Sequence, residues 1–490
     1  MACGVFAAYS TKKENVFPYT YWGGRAQNNR GQQSHGFLTH DGYDFRGPKK
    51  GLGLIPDQKN VEGWSKELKG NKGISSVRYT TFGSTDDESL MKGAQPILLD
   101  NFGLVFNGQL LPPRKLDDEL RKTYNDFTCP NCDLGYFAAI MNIEHRKDND
   151  LTEDVRSCMT SIEGAYSVAG ISKDGKFFTF RDPHGIRPLC FATDQEKGLH
   201  AISSETVGFD INRITYGKDF EVRPGELIIF NDRDTERHQI VSPQGDALCA
   251  FEFAYFARPD SKMPKTSKYV YEMREEFGRN LVEQNPDILK NADIVISAPE
   301  TGDDCALGVE RASDLKWERC TRRHRYVTER AFMALAGERR STIEKKINIL
   351  PEKVAGKRVI VTEDSIVRGD TTEIVVSKMR SYGARNVYVF STFPRITNPC
   401  PYGIDMATHD ELIGAKRNEE EVAKKIGADA VRYQSLKDFK DVVGLGDNLC
   451  TGCLTGKYPT PCAQRIVDKS KELSEKGIKI KGRIVDELRE

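Results

Sequence analysis

The stretch over residues 356–372, GKRVIVTEDSIVRGDTT, constrains the fold more than any other part of the chain. Residues 359–362 are apolar or branched and predict a short buried strand, and Glu363 and Asp364 follow at its carboxyl end. After a short turn, apolar residues at helical spacing predict a helix over residues 371–382. Because open α/β sheets bind ligands at the carboxyl ends of their strands, this order of elements predicts a binding site beside the two acids.

The chemistry of this stretch suits a sugar phosphate. Backbone N–H groups and hydroxyls at the turn and helix N-terminus can hold a phosphate, while the carboxylates can accept hydrogen bonds from ribose hydroxyls. The string DSIVRG, residues 364–369, resembles the phosphoribosylpyrophosphate (PRPP) loop of type I phosphoribosyltransferases, in particular that of the glutamine PRPP amidotransferase family. The resemblance implies that PRPP is bound by Glu363, Asp364, Ser365, Arg368, Gly369, Thr371 and Thr372.

Composition limits the class of protein. The 490 residues are enough for two or three domains with full cores. The 72 basic and 72 acidic residues balance, which disfavours nucleic acid and anionic membranes as partners. No apolar run approaches about 18 residues and no secretory signal opens the chain, so we expect a cytoplasmic protein. In that compartment the 12 cysteines favour metal, cluster or nucleophile roles over a disulfide framework.

The N-terminal half carries a candidate nucleophile, Cys3, in an apolar, strand-like segment. An N-terminal cysteine holds nucleophile and base together, because its own α-amine can take the thiol proton. A lone buried cysteine is otherwise a small packing residue. Met1 and Ala2 precede Cys3, so we expect that both are removed to free the amine.

Further strings in this half are similar, in order, to those of class II glutamine amidotransferases: RGQQS at 30–34, VRYTT at 77–81 and FNG at 106–108. The resemblance implies that glutamine is bound by Arg30, Arg78 and Asp133, with Arg78 clamping the α-carboxylate. It also implies that Asn107 and Gly108 form the oxyanion hole, although an Asn-Gly pair alone predicts a hairpin turn. The context of Asp133, NCDLG, departs from the family string.

The domain order follows from these matches. Residues 231–248 are polar and contain Pro243 and Gly245, which predicts a boundary. We therefore predict a glutaminase domain over 3–240, a transferase domain over 249–462 and a charged, helical tail over 463–490 that forms a solvated surface or an oligomer contact. The resemblance implies an N-terminal nucleophile (Ntn) hydrolase αββα sandwich, followed by a phosphoribosyltransferase domain. Strand-like runs at 293–299 and 386–393 support a parallel sheet in the latter.

The resemblance implies two cofactors. Magnesium would be held by Thr301, Glu363 and Asp364, beside the pyrophosphate of PRPP. One branch of the family places thiolates equivalent to Cys249, Cys400, Cys450 and Cys453 on a 4Fe–4S cluster. A Cys-x-x-Cys pair with two distant cysteines suits such a cluster. A tetrahedral zinc site would use the same ligands, and Cys129 and Cys132 could supply half of one together with Cys450 and Cys453.

Two segments depart from the family pattern. Asp370 stands where a threonine would donate to the 5-phosphate. At about 4 Å and an effective dielectric of about 20, that carboxylate would repel the phosphate by about 4 kcal/mol, unless it faces solvent or magnesium bridges the charge. The segment RYVTERAF, residues 325–332, also differs, and Arg330 is the predicted catalytic arginine within it.

The expected function is transfer of ammonia from glutamine to PRPP, giving 5-phosphoribosylamine. The resemblance implies glutamine and PRPP as substrates, purine nucleotides as feedback ligands and a homo-oligomer. Asp370 and the altered loop motivate one alternative, a degenerate paralogue that keeps the fold and cluster without PRPP chemistry. A second alternative is a glutaminase that serves another acceptor.

Overall fold

The computed structural model describes residues 3–80, 86–123, 132–266, 268–324, 344–480 and 482–489. The strands of its first half are β1 (Gly4–Ser10), β2 (Ser34–His40), β3 (Phe45–Leu52), β4 (Lys72–Arg78), β5 (Ile97–Leu99), β6 (Phe102–Leu111), β7 (Glu163–Ser172), β8 (Phe177–Arg181), β9 (Cys190–Asp194), β10 (Leu199–Ser203), β11 (Glu226–Phe230) and β12 (Thr235–Gln239). Its helices are Phe17–Ala26, Glu62–Glu67, Asp87–Lys92, Arg114–Thr123, Leu134–Asp148, Leu151–Ser161 and Val207–Ile211, with a 3-10 turn at Gln58–Asn60.

These strands form two sheets, in the orders β3-β2-β4-β1-β10-β9 and β12-β11-β8-β7-β6-β5. The sheets pack face to face because inward residues of both, such as Val5, Ile74 and Val105, share one buried core. The helices Leu134–Asp148 and Leu151–Ser161 cover the outer face of the second sheet. The helix Phe17–Ala26 packs on the first. This is the expected αββα sandwich.

The second half contains β13 (Leu248–Cys249), β14 (Ile294–Ser297), β15 (Lys316–Trp317), β16 (Thr321–Arg323), β17 (Ile347–Ile349), β18 (Arg358–Glu363), β19 (Asn386–Ser391), β20 (Ala430–Tyr433) and β21 (Leu449–Cys450). Its helices are Val270–Gln284, Pro286–Asn291, Asp303–Ala312, Pro351–Val354, Asp370–Ser381, Glu419–Ile426, Leu436–Val443, Gly452–Thr455, Pro461–Glu475 and Ile484–Leu488, with a π-helix at Glu252–Phe256 and a 3-10 turn at His409–Glu411.

Five of these strands form a parallel sheet in the order β15-β14-β18-β19-β20. The central β18 is the strand expected at residues 359–362, and its apolar residues are fully buried on both faces of the sheet. The helix expected at 371–382 runs from Asp370 to Ser381. Between them Gly369 has φ +89, in the left-handed region that favours glycine. The expected strand, turn and helix are thus confirmed.

The C-terminal tail is helical, as predicted, but it is not only a solvated surface. Ala463, Ile466 and Val467 of one helix and Ile484, Val485 and Leu488 of the other are buried in the core that also holds Phe251 and Tyr402. The charged residues alternate with these apolar residues at helical spacing, so the tail presents one apolar face that packs inward. Among the described residues, no helix is long and apolar enough to cross a membrane.

Candidate functional site

Cys3 lies just before β1, and its side chain is buried in the glutaminase half. Its Sγ donates a weak hydrogen bond to the carbonyl oxygen of Tyr79 at 3.7 Å. Burial raises the pKa of the Cys3 thiol, and the positive charge of Arg78 opposes this most strongly. The thiol is therefore protonated near neutral pH and needs a base before it can attack. Met1 and Ala2 lie outside the described residues.

Asn107 and Gly108 lie in the middle of β6 and not in a hairpin turn, because β6 pairs continuously with β7. The Asn107 side chain is fully buried, and neither its Oδ1 nor its Nδ2 has a hydrogen-bond partner in the described part of the chain. A buried amide without partners is costly for folding, so it points to a ligand. A Cβ on Gly108 would lie 2.2 Å from the carbonyl oxygen of Ala165, so only glycine allows this approach of β7.

Asp133 precedes the helix Leu134–Asp148 and is buried. Its Oδ2 accepts hydrogen bonds from the Leu110 backbone N–H at 2.6 Å and from Gln109 Nε2 at 3.1 Å. Burial raises the pKa of Asp133 to about 7, although the Leu110 hydrogen bond and the Arg78 charge lower it. Both Arg78 and Asp133 act electrostatically on Cys3. The structure thus brings together a thiol, a cation and an acid suited to a zwitterionic amino acid.

Cys132, half of the alternative zinc pair, lies next to Asp133 in this half. Its thiol accepts a hydrogen bond from Gln95 Nε2 at 3.8 Å, and burial raises its pKa to about 12. Cys132 belongs to the core of the second sheet, whereas Cys450 and Cys453 pack against the core of the transferase half. Their placement in different cores argues against a shared zinc site, and Cys129 lies outside the described residues.

Arg30, the third expected glutamine ligand, has internal partners. Its fully buried guanidinium donates to the Cys3 carbonyl oxygen at 2.9 Å, to Glu205 at 2.6 Å and to Glu252 at 2.6 Å. Because the two terminal nitrogens of its guanidinium, Nη1 and Nη2, already bind carboxylates, the structure gives no support to a glutamine-binding role for Arg30. Arg30 instead holds the backbone of Cys3, the predicted nucleophile. Glu205 and Glu252 were missed as functional residues, although they lie in two further strings that are similar to those of the family, SSET at 203–206 and FEFAYF at 251–256.

Glu205 connects this arrangement to the transferase half. Its Oε2 accepts hydrogen bonds from the Arg258 backbone N–H at 2.9 Å and from Ser261 Oγ at 2.8 Å. Asn29, beside Arg30 in sequence, donates to the carbonyl oxygen of Phe256 at 2.9 Å. Arg258 and Phe256 line the cavity of the transferase half. The glutaminase half therefore holds one wall of that cavity in place.

The transferase cavity has a volume of about 530 Å³ and lies at the carboxyl ends of β14 and β18. Among the residues that line it are Thr301 and the predicted PRPP ligands Glu363, Asp364, Ser365, Arg368, Gly369, Thr371 and Thr372. Burial raises the pKa of both Glu363 and Asp364, and the charge of Asp364 raises the pKa of Glu363 further. Thr301 Oγ1 donates to Asp364, while Glu363 Oε2 has no hydrogen-bond partner within the described ranges.

Two residues of the turn differ in their surroundings. Arg368 donates to Glu411 at 2.5 Å and to Asp405 at 3.5 Å, so its guanidinium is held by two carboxylates. Asp370 is the first residue of its helix and is exposed, although it contributes to the cavity rim. Solvent therefore screens its charge, and the positive end of the helix dipole favours an acid there. Arg330 lies outside the described residues.

The four predicted cluster ligands surround a small cavity of about 10 Å³. Cys249 and Cys450 are partners in the parallel pairing of β13 with β21, and Cys400 and Cys453 line the same cavity. Burial raises the pKa of Cys249 to about 12, and it also raises the pKa values of Cys450 and Cys453. Within the described residues no three His, Cys, Asp or Glu side chains are placed to hold a single metal ion. All four thiols line this one cavity.

A second small cavity, of about 20 Å³, lies between the two sites. Gln109 lines it from the glutaminase side, while Ile404 and Asp405 line both this cavity and the transferase cavity. The C-terminal segment closes it, because Arg483 donates to the Thr80 carbonyl oxygen at 2.7 Å. Sequence reasoning missed this role of the tail, since nothing local to residues 483–485 indicates where they pack.

Comparisons with known proteins agree with this geometry. Residues 84–210 match the model of a glutamine amidotransferase domain. The amidophosphoribosyltransferases of Methanothermobacter thermautotrophicus and Methanocaldococcus jannaschii are 33% and 34% identical, over 94% of this chain and 94% and 98% of their own lengths. The solved structure of the B. subtilis glutamine PRPP amidotransferase with ADP and GMP is 29% identical. It aligns with a TM-score of 0.82 and covers 94% of this chain and 97% of its own.

Proposed function

The chain belongs to the amidophosphoribosyltransferase family, and on that premise we propose that it transfers ammonia from glutamine to PRPP. The products are 5-phosphoribosylamine, pyrophosphate and glutamate, in the first step of purine nucleotide synthesis. The strongest support is the cavity of the transferase half, because the acidic pair at the end of β18 and Asn29 of the glutaminase half both line it. Arg30, next to Asn29 in sequence, binds the carbonyl oxygen of Cys3, the proposed nucleophile. We further propose a cytoplasmic homo-oligomer that purine nucleotides regulate, since a solved relative binds ADP and GMP.

In the first half-reaction the sulfur of Cys3 attacks the side-chain amide carbon of glutamine. Arg78 binds the α-carboxylate and Asp133 the α-ammonium group, so that two opposite charges orient the substrate. Asn107 and Gly108 stabilise the tetrahedral oxyanion, for which the unpartnered Asn107 amide is available. The α-amine of Cys3, freed by removal of Met1 and Ala2, takes the thiol proton and passes it to the leaving ammonia. Water then hydrolyses the thioester to glutamate.

In the second half-reaction ammonia attacks C1 of PRPP and pyrophosphate leaves. Ammonia reaches that carbon through the interior, past Ile404 and Asp405, which line the cavities on both sides. Glu363 and Asp364 accept hydrogen bonds from the ribose hydroxyls, and the turn before the helix Asp370–Ser381 holds the 5-phosphate. Arg330, in the loop outside the described residues, is the proposed catalytic arginine.

Thr301, Glu363 and Asp364 fit a magnesium site, because Glu363 Oε2 is buried without a hydrogen-bond partner in the described chain. When bound there, Mg²⁺ neutralises charge on the pyrophosphate leaving group.

Cys249, Cys400, Cys450 and Cys453 are the proposed ligands of a 4Fe–4S cluster, since their thiols line one cavity. The cluster would tie β21 and the C-terminal segment to the start of the transferase half. Iron and acid-labile sulfide in anaerobically purified protein test this assignment. Cys453→Ser should lose the cluster, whereas the matched variant Cys462→Ser, outside the cavity, should keep it. Zinc in place of iron would contradict the cluster.

Pyrophosphate release from PRPP and Mg²⁺ tests the transferase assignment, with ammonium chloride or glutamine as nitrogen donor. Ammonia bypasses the thiol, so Cys3→Ala should retain the ammonia-dependent rate and lose the glutamine-dependent rate. Folded, cluster-containing protein that releases no pyrophosphate with either donor would indicate a degenerate paralogue. Glutamate release without any turnover of PRPP would indicate a glutaminase for another acceptor.

A further inference from the structure

Arg187 is a buried cation whose hydrogen-bonding capacity is not satisfied by the residues that the structure describes. It lies in the glutaminase half, between β8 and β9, and is 1% exposed. Its Nη2 donates to the carbonyl oxygen of Tyr402, and Nη1 lies 3.6 Å from Glu252 Oε1. Neither Nε nor Nη1 has a hydrogen-bond partner among the described residues.

Burying this guanidinium is costly unless an anion accepts hydrogen bonds from Nε and Nη1. A guanidinium stays charged at any physiological pH, and buried N–H groups without acceptors oppose folding. Glu252 supplies only part of the compensation, because the same Oε1 atom binds Arg30 at 2.6 Å. Arg187 also lines the small cavity that the thiols of Cys249, Cys400, Cys450 and Cys453 surround.

We propose that Arg187 is a charge-compensating residue of the cluster, and that it donates through Nε and Nη1 to sulfur atoms of that group. The inference rests on the proposed 4Fe–4S cluster. Four thiolates give such a cluster a net negative charge, and reduction adds one more. A fixed cation and N–H donors at the sulfur atoms favour the reduced form, so Arg187 raises the reduction potential.

The position of Arg187 also makes the cluster part of the junction between the two halves. All four ligands belong to the segment after residue 248, whereas Arg187 comes from the sandwich. Its Nη2 holds the backbone of Tyr402, two residues beyond Cys400, and its Nη1 faces the glutamate that binds Arg30. The glutaminase half thus contributes both to the electrostatics of the cluster and to the loop that carries one ligand.

The test compares Arg187→Met and Arg187→Lys with the wild-type protein, all purified without oxygen. Iron content is measured first, followed by the midpoint potential of the cluster in a redox titration and its lifetime in air. Arg274→Met is the matched control. Arg274 is also fully buried and also donates to backbone carbonyls, those of Phe253 and Ala257, but it does not line the thiol cavity.

Arg187→Met should have a more negative midpoint potential and a lifetime in air about tenfold shorter, as expected for loss of a hydrogen bond to a charged group. Arg187→Lys should recover part of the potential because it keeps the charge. Wild-type values in Arg187→Met, or equal changes in Arg274→Met, would overturn the inference. Loss of iron in Arg187→Met alone would support it. Wild-type protein without iron would refute the cluster itself and the inference with it.

Discussion

Replacement of Asn107 by alanine should affect glutamine hydrolysis strongly and the stability of the fold only slightly. The Asn107 amide is fully buried and makes no hydrogen bond within the described residues, so its removal leaves no protein group without a partner. We therefore expect the unfolding midpoint to change little, because the relief of a buried unpaired amide offsets the small cavity that is created. Loss of one oxyanion donor should lower kcat for glutamine hydrolysis about 100-fold to 1,000-fold, or about 2.7–4 kcal/mol of transition-state stabilisation.

Asn142 provides the matched control. It is fully buried like Asn107, but its Nδ2 donates to the carbonyl oxygens of Leu99 and Ala138, each at 2.8 Å, and its Oδ1 accepts from the Asn101 N–H at 2.9 Å. Asn142→Ala removes these hydrogen bonds and takes a partner from the Leu99 carbonyl oxygen and the Asn101 N–H, which should cost about 1–3 kcal/mol in total. It should therefore lower the unfolding midpoint while folded protein keeps its glutaminase kcat.

The assay measures glutamate release, ammonia-dependent pyrophosphate release and thermal unfolding for both variants. Asn107→Ala should keep the ammonia-dependent rate, since that reaction does not use the oxyanion hole. Glutamine hydrolysis within about threefold of the wild-type rate, far from the loss expected for an oxyanion donor, would refute the role of Asn107. An equal loss with both nitrogen donors would show damage to the transferase half instead.

Further perturbations test three other sites of the structure. Burial raises the pKa of folded Asp133 to about 7, so the carboxyl is neutral below that pH and cannot pair with the substrate ammonium. KM for glutamine should therefore rise as the pH falls below about 7. A flat pH profile of KM would contradict the assignment. The raised pKa of Asp133 favours the protonated form on folding, so the stability that this group contributes is present at low pH and is lost as the pH rises through about 7. Urea unfolding at a series of pH values should show this loss in the wild-type protein and not in Asp133→Asn. Because Asp370 is exposed, Asp370→Thr should lower KM for PRPP by no more than about tenfold, and an improvement of several hundred-fold would place the carboxylate against the phosphate. Arg30→Met removes the main cation from two buried carboxylates and should lower the free energy of unfolding in urea by about 3–5 kcal/mol. The control Arg46→Met, from an exposed pair with Asp41, should lower it by less than about 1 kcal/mol. Similar decreases in both variants would argue against the buried network.

Features encoded over a few neighbouring residues were predictable from the sequence. The apolar run of β18, the acids after it and the helical spacing beyond Gly369 specify a strand, a turn and a helix because backbone periodicity is local. Resemblance to family strings drew attention to Asn107 and Gly108 and to four of the cysteines. The structure places the pair inside a strand and the four thiols around one cavity.

Tertiary structure alone decided what each polar side chain does. Arg30 lies 175 residues from Glu205 and 222 from Glu252, so its role as an internal anchor could not be read from the RGQQS string. The same holds for Arg187 and for the C-terminal helices, whose charged sequence indicated a solvated tail. A side chain's partners depend on which segments the packed sheets bring together, and burial then determines whether its charge binds a substrate, a cofactor or the protein itself.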